Sequence, residues 1–218
     1  MKIKWIGHSC FMIELADGRK ILTDPYDNTV GYDPVDETAD IVLVTHDHFD
    51  HGYTEGIKGD YKLITKAGEY DLGNGLSVCG IEQPHDDAGG SKRGTVITFV
   101  INAEGLNLLH MGDIGVVPGD DYFAKLPKID ILMIPVGGVF TVDAKGAFSI
   151  LERIHPNITI PMHFKTEKLS FDVSSVFDFL QIAKEGEFDI SRLGGAVLEV
   201  DPLNLKKRSR IIVMEHSN

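Results

Sequence analysis

Val42-Leu43-Val44-Thr45-His46-Asp47-His48-Phe49-Asp50-His51 is the stretch on which the reading of this chain turns. An apolar run of strand length passes directly into His46, Asp47, His48, Asp50 and His51. A polar loop after a strand accounts for one or two such residues. It does not account for all of them, because desolvating several imidazoles and carboxylates together is costly unless something binds or neutralises them. In an extended segment alternate side chains share a face, so His46 and His48 are expected to grip one metal ion. Asp50 and His51, just beyond, are expected to turn toward a second. Imidazole nitrogen and carboxylate oxygen suit zinc, and also manganese or iron.

The flanking sequence supplies the frame. Ile3 to Ile6, Cys10 to Leu15, Lys20 to Thr23, Ile41 to Thr45 and Lys62 to Thr65 read as strands between Gly, Asp or Pro turns. Ser77 to Glu82, Thr95 to Ile101, Asn107 to Met111 and Ile129 to Ile134 read likewise. Asp17-Gly18 and Asn102-Ala103-Glu104-Gly105 look like hairpin connections. Asp143 caps an expected helix through Ala147, Ile150 and Leu151 to Ile154, which His155-Pro156 ends. A second helix is expected over Val173 to Lys184, with Val176, Phe177, Leu180 and Ala183 on one face. Shorter strands follow at Thr159 to Met162, Ala196 to Val200 and Arg210 to Met214. Many strands, then helices interleaved with strands, predict two packed sheets with helices on their outer faces. No linker or fixed-period repeat divides the sequence, so a single domain over 1–218 is expected.

Composition sets further bounds. A chain of 218 residues with 43% hydrophobic content can bury a large core without disulfides. Its two cysteines, Cys10 and Cys79, sit in apolar strand-like runs and read as buried packing thiols in a reducing compartment. No stretch approaches the roughly 20 apolar residues that cross a bilayer, and the opening residues lack a signal-peptide core, so a cytoplasmic protein with no membrane partner is expected. The net charge of −12 repels nucleic-acid phosphates and argues against long nucleic acids as partners. The basic cluster Lys206, Lys207, Arg208 and Arg210 reads as a solvated turn before the last strand.

His46-Asp47-His48-Phe49-Asp50-His51 matches the His-x-His-x-Asp-His signature of the metallo-β-lactamase superfamily, which the chain resembles from Gly7 to Thr166. Gly7-His8-Ser9 and Ile21-Leu22-Thr23-Asp24-Pro25 resemble the opening of its L-ascorbate-6-phosphate lactonase-like subfamily. His85 in Gln83-Pro84-His85-Asp86, Asp113 in His110-Met111-Gly112-Asp113, and His163 in Pro161-Met162-His163-Phe164 resemble its later motifs, in order. The resemblance implies an α/β fold, a four-layer αββα sandwich of two mixed sheets flanked by helices. It implies one metal ion on His46, His48 and His85, a second on Asp50, His51 and His163, and Asp113 between them. Two such divalent ions, zinc by default, would share a hydroxide as nucleophile, with Asp50 and Asp113 as the catalytic carboxylates. Asp50 could orient that hydroxide or pass a proton to the leaving group.

Four residues carry weaker signals. His8 could line the cleft or support a ligand, or be structural. Asp24 could orient a ligand histidine or only shape a turn. Gly137-Gly138, followed by Thr141, could supply backbone N–H groups near the metals or only allow a tight turn. Lys165 could meet an anionic substrate group at the cleft mouth or be a solvated loop lysine. His110 should point away from Asp113 and be structural; His155 and His216 read as surface residues. Asp86, Asp87, Lys92 and Arg93 flank His85 in a Gly-rich loop expected to be mobile and to shape access. The expected function is hydrolysis of a small ester, lactone or phosphate-containing metabolite. A phosphodiesterase for a small nucleotide or RNA, and a non-catalytic metal-binding protein, are the alternatives. Flavo-diiron chemistry fits less well, because those relatives place Glu where this chain has His48.

Overall fold

Alternate residues of the first strands pack to opposite sides of a sheet. Ile3, Trp5, Phe11, Ile13, Ile41 and Leu43 face one apolar cluster, while Ile6, Cys10, Met12, Val42 and Val44 face another. This period of two is what strands covered on both faces require. A computed structural model describes residues 1–186, 188–205 and 208–218 and places that sheet in a two-sheet sandwich.

The strands in chain order are β1 (Lys2–Gly7), β2 (Cys10–Glu14), β3 (Lys20–Thr23), β4 (Ile41–Leu43), β5 (Lys62–Ile64), β6 (Gly68–Asp71) and β7 (Ser77–Pro84). They continue as β8 (Thr95–Ala103), β9 (Leu106–His110), β10 (Ile131–Pro135), β11 (Ile158–Met162), β12 (Asp189–Arg192), β13 (Val197–Glu199) and β14 (Arg210–Val213). One sheet has the order β13-β1-β2-β3-β4-β5, the other β12-β14-β11-β10-β9-β8-β7-β6. Both are mixed. The β1–β2–β3 and β6–β7–β8–β9 runs are antiparallel, whereas β3–β4–β5 and β9–β10–β11–β14 are parallel. The larger apolar cluster joins the facing sides of the sheets, with Trp5 and Phe11 from one and Phe99, Leu108 and Met133 from the other.

Helices α1 (Asp120–Phe123), α2 (Ala144–Ile154) and α3 (Phe177–Glu185) accompany the second sheet. The Asp143 carboxylate caps α2 by accepting from Gly146 N at 2.8 Å, and His155 ends it in the left-handed region at φ 52°. Over the far face of the first sheet the covering layer is made of loops, including a 3₁₀ turn at Asn28–Val30 and the apolar side chains of Tyr26, Tyr32, Leu169 and Val173. The expected second helix starts late; Val176, Leu180 and Ala183 of its expected face pack on the core, and Phe177 does not. α3 begins at Phe177 and buries Phe179 and Ala183, while Phe177 is 58% exposed. Val173 and Ser174 belong to the preceding loop, where Ser174 N bonds to Gly137 O. Cys79 is only partly enclosed, unlike Cys10. Of the basic cluster, Lys206 and Lys207 lie outside the described residues; Arg208 pairs with Asp189 at 3.3 Å and Arg210 opens β14. No helix among the described residues is long and apolar enough to cross a membrane.

Candidate metal centre

Six strands deliver their C-terminal ends to one edge of the sandwich. β1 leads to His8, β3 to Asp24 and β4 to His46–His51; β7 leads to His85, β9 to Asp113 and β11 to His163. The first three strands are in one sheet and the last three in the other, so the cluster lies across the junction between sheets. Loops can serve as the carriers because the strands beneath them are rigid.

The local chain is bent to suit. The β1–β2 ladder slips its register between Trp5 and Gly7, and His8 follows at φ 51°. Asp24 (φ 42°) and His163 (φ 51°) are also left-handed, a conformation that costs a non-glycine residue energy and concentrates at functional sites. At Gly112 (φ 52°) a Cβ would stand 2.7 Å from Val96 and 2.8 Å from Thr45, so only glycine lets the Asp113 loop lie this close. The segment after β4 is not extended as expected. It turns through His48 N to His46 O (3.1 Å) and His51 N to His48 O (2.9 Å), and the turn brings the His46 and His48 rings to 4.4 Å between centroids.

Three sets of donor atoms converge, each within 4.8 Å: His46, His48 and His85; His8, Asp50, His51 and His163; and His46, His51 and Asp113. Asp113 sits between the sets, its Oδ1 3.2 Å from His51 Nε2 and its Oδ2 3.2 Å from His163 Nε2 and 3.9 Å from His85 Nε2. The seven ligand candidates named from the sequence thus lie together. His8, weighed as a support, lies closer in than expected. Its Nε2 is 3.3 Å from Asp50 Oδ2 and its ring 4.2 Å from that of His163.

Asp24 is a support. Wholly buried, it accepts from Thr45 N, Thr45 Oγ1 and His51 Nδ1, each at 2.8 Å. Because the Thr45 hydroxyl donates to Asp24, it accepts from His46 Nδ1 at 2.9 Å. His46, held neutral by burial, therefore carries its proton on Nδ1 and turns an Nε2 lone pair inward; His51 likewise donates from Nδ1, which leaves its Nε2 facing Asp113 and Asp50. Those two Nε2 atoms, both ring nitrogens of His163 and Asp113 Oδ1 are buried without a hydrogen-bond partner. Orphaned donor atoms aimed at one another are what a divalent ion would satisfy, and the His/Asp chemistry fits one.

The electrostatics agree. Burial pushes His46 down to about 3 and His8 down to about 4, so both are neutral, ligating forms at neutral pH. Burial opposes ionisation of Asp113, but His163 and His51 outweigh it and hold the carboxyl well below its usual range. For Asp50, burial is likewise overcome by His51 and His8. For His51, burial lowers the pKa, yet Asp113, Asp50 and Asp24 together raise it well above the usual value. Asp24, Asp50 and Asp113 leave a buried negative charge that positive ions would neutralise.

Other expectations fare differently. Lys165 does not face the cleft: its Nζ donates to Leu169 O (2.6 Å) and Phe171 O (2.7 Å), tying its own loop. Thr141 is turned to its own chain, its hydroxyl donating to Val142 O at 3.1 Å. His110 is structural as expected, bonded through Nε2 to Ser9 O at 2.9 Å. His216 is not a surface residue; its side chain is 10% exposed, packs on Tyr32 and Trp5 and bonds Glu167 at 2.9 Å. The loop after His85 is braced rather than loose: the Asp86 carboxylate accepts from the backbone N–H of Ala88, Gly90, Lys92 and Arg93. Phe140 and Phe171 carry no motif, and the fold brings them together with Phe49, a variable position of the His46–His51 signature, and Arg93, from the loop expected to shape access.

Comparison with known proteins agrees with this geometry. A family profile described as "Beta-lactamase superfamily domain" matches residues 2–163. A "UPF0173 metal-dependent hydrolase" from Carboxydothermus hydrogenoformans is 31% identical over 195 residues, covering 76% of this chain and 85% of the relative. One of the same name from Pyrobaculum neutrophilum is 31% identical over 196 residues, with 76% and 85% covered. The solved structure of a Thermotoga maritima protein, described as a Zn-dependent hydrolase of the metallo-β-lactamase superfamily, superposes with a TM-score of 0.81 at 34% identity, covering 99% of both chains. With a His/Asp cluster at the junction of two mixed sheets and relatives that share most of its length, the chain belongs to the metallo-β-lactamase superfamily, in the UPF0173 family of metal-dependent hydrolases.

Proposed function

We propose that this metal-dependent hydrolase is a single-domain enzyme that holds two divalent ions, zinc by default, and cleaves a small ester, lactone or phosphate-containing metabolite. His46, His48 and His85 would hold one ion, Asp50, His51 and His163 the other, with Asp113 between. The carrying observation is the set of buried, unpaired donor atoms on His46, His51, His163 and Asp113. Two ions held there would polarise the scissile oxygen and lower the pKa of a water molecule toward neutrality.

The chain's own side chains do the rest. Asp50, at the edge of the cavity, takes the proton from the attacking water and returns it to the leaving group. His8 steadies Asp50 from behind through the 3.3 Å contact to Oδ2. Asp24 and Thr45 fix the tautomers of His51 and His46. The test is elemental analysis of the purified protein beside His48→Ala and Asp113→Ala. Close to two equivalents of metal in the wild type, with clear loss in both variants, supports the reading. Little metal after reconstitution, or no loss in the variants, refutes it.

A further inference from the structure

A cavity of about 280 Å³ opens above the cluster, smaller than the pockets of about 300–1,000 Å³ that take drug-sized ligands. His48, Asp50, His85 and Asp113 form its floor, and Phe49, Phe140, Phe171 and Arg93 its walls. The rings meet edge to face, Phe49 against Phe171 at 6.0 Å and Phe140 against Phe171 at 6.1 Å. Phe49 is nonetheless 54% exposed and Phe140 37% exposed. Large aromatic side chains left open around a small cavity present a surface for an apolar ligand.

Among the described residues Arg93 is the one cation in this wall. Its guanidinium lies 5.1 Å from the Phe140 ring centre, and Nη1 donates to Val139 O at 3.2 Å and Phe140 O at 3.5 Å. Those bonds strap the Arg93 loop to the Gly137–Thr141 turn, where Val139 is held at φ 63°, a strained value for a β-branched residue. The strap uses Nη1 alone. Among the described residues Arg93 has no carboxylate partner, although its neighbour Lys92 is paired with Asp87 at 2.7 Å. On a chain of net charge −12 this exposed guanidinium leaves Nε and Nη2 open to solvent and to a ligand. Planar guanidinium donors match oxyanions.

We propose, resting on the hydrolase reading above, that the substrate is an acyl ester or lactone with an apolar, ring-sized body and an oxyanion. Phe49, Phe140 and Phe171 enclose the body, and Arg93 binds the anion. Hydrolysis adds water across the acyl C–O bond, giving a carboxylic acid and an alcohol, and needs no other reactant.

The probes are 4-acetoxybenzoate and its neutral methyl ester for turnover, with 4-hydroxybenzoate, its methyl ester and phenyl phosphate for binding by calorimetry to metal-loaded protein. The wild type is expected to prefer the anionic member of each pair by at least about tenfold, in kcat/KM and in Kd. Arg93→Gln should collapse that preference toward one, while Arg93→Lys retains part of it. Phe49→Ala should weaken anionic and neutral probes alike. Phenyl phosphate binding as tightly as 4-hydroxybenzoate assigns the site to phosphate esters as well; much weaker binding assigns it to carboxylates, and either is consistent with the proposal. Equal binding of anionic and neutral probes by the wild type, or an unchanged preference in Arg93→Gln, overturns it. Metal content and turnover of the neutral ester are read on the same samples, so loss of the hydrolase reading is seen separately from loss of the anion site.

Discussion

Asp24→Asn should weaken metal binding far more than it weakens the fold. The carboxylate accepts three hydrogen bonds of 2.8 Å, from Thr45 N, Thr45 Oγ1 and His51 Nδ1. Asparagine can keep its carbonyl toward Thr45 N, which leaves its NH₂ group at the position of Oδ2. There it would face His51 Nδ1, and two N–H groups cannot point at each other. His51 relieves the clash by keeping its proton on Nε2, the atom that faces Asp113 and Asp50 and that the proposed metal ion would need unprotonated. The Thr45 hydroxyl can rotate to accept, so most of the bonds are remade and the folding cost is about 1 kcal/mol. Loss of a group that orients a ligand histidine typically costs about 10–100-fold in metal affinity, or about 1.4–2.8 kcal/mol. Competition against a chelating dye at neutral pH, with thermal melts of the metal-free proteins as control, separates the two costs. Metal affinity within twofold of wild type, in a variant that melts like wild type, would refute the reasoning.

Three further outcomes follow from the geometry. Chelator should lower the melting temperature by about 5–10 °C for each ion removed: an ion at 100 times its Kd adds about 2.7 kcal/mol, and each kcal/mol moves a chain of this size by about 2–4 °C; calorimetry with and without chelator checks it, and no shift in metal-replete protein would count against bound metal. Asp86→Asn should loosen the loop after His85 and speed proteolysis within residues 87–93. Hydrogen bonds from Arg93, Lys92, Ala88 and Gly90 outweigh desolvation and lower Asp86 to about 2, so its stabilising effect is full above the unfolded carboxylate pKa near 3.9 and is lost as pH falls through about 2. Acid titration of the wild type against Asp86→Asn reads that window. Lys165→Met should release the Leu169 and Phe171 carbonyls, destabilising the fold by about 1 kcal/mol in urea melts while leaving any preference for anionic esters intact.

The strand frame was legible because each strand repeats a two-residue pattern that local sequence displays, as in Ile41 and Leu43 against Val42 and Val44. His46 to His51 was legible for a different reason: its density of imidazole and carboxylate has no cheap structural explanation. The polar strand β6 (Gly-Glu-Tyr-Asp) went unread since its pairing with β7 is what makes it a strand. The expected helix over Val173 to Lys184 begins four residues before α3, and its face through Val176, Leu180 and Ala183 holds while Phe179 takes the buried place expected of Phe177. Lys165 and Asp24 show the limit at the site. A lysine beside a ligand candidate and an aspartate before a proline each have two readings. What separates them is a partner supplied by tertiary structure: carbonyls of a folded-back loop for Lys165, and Thr45 and His51 for Asp24. The sequence places Arg93 in a loop that shapes access, but its ring neighbours are not legible there, because Phe49, Phe140 and Phe171 come to it from distant loops.

The division of the donors between two sheets bears on how the protein is made. His46 to His51 emerge early in synthesis, His85 and Asp113 only after most of the first sheet, and His163 with three-quarters of the chain complete. On the proposed ligand set, the nascent segment alone offers each ion at most a partial shell. Full-strength capture waits until β11 docks between β10 and β14. Metallation then reports that the two sheets have closed on each other, and an ion taken up at that moment resists their separation.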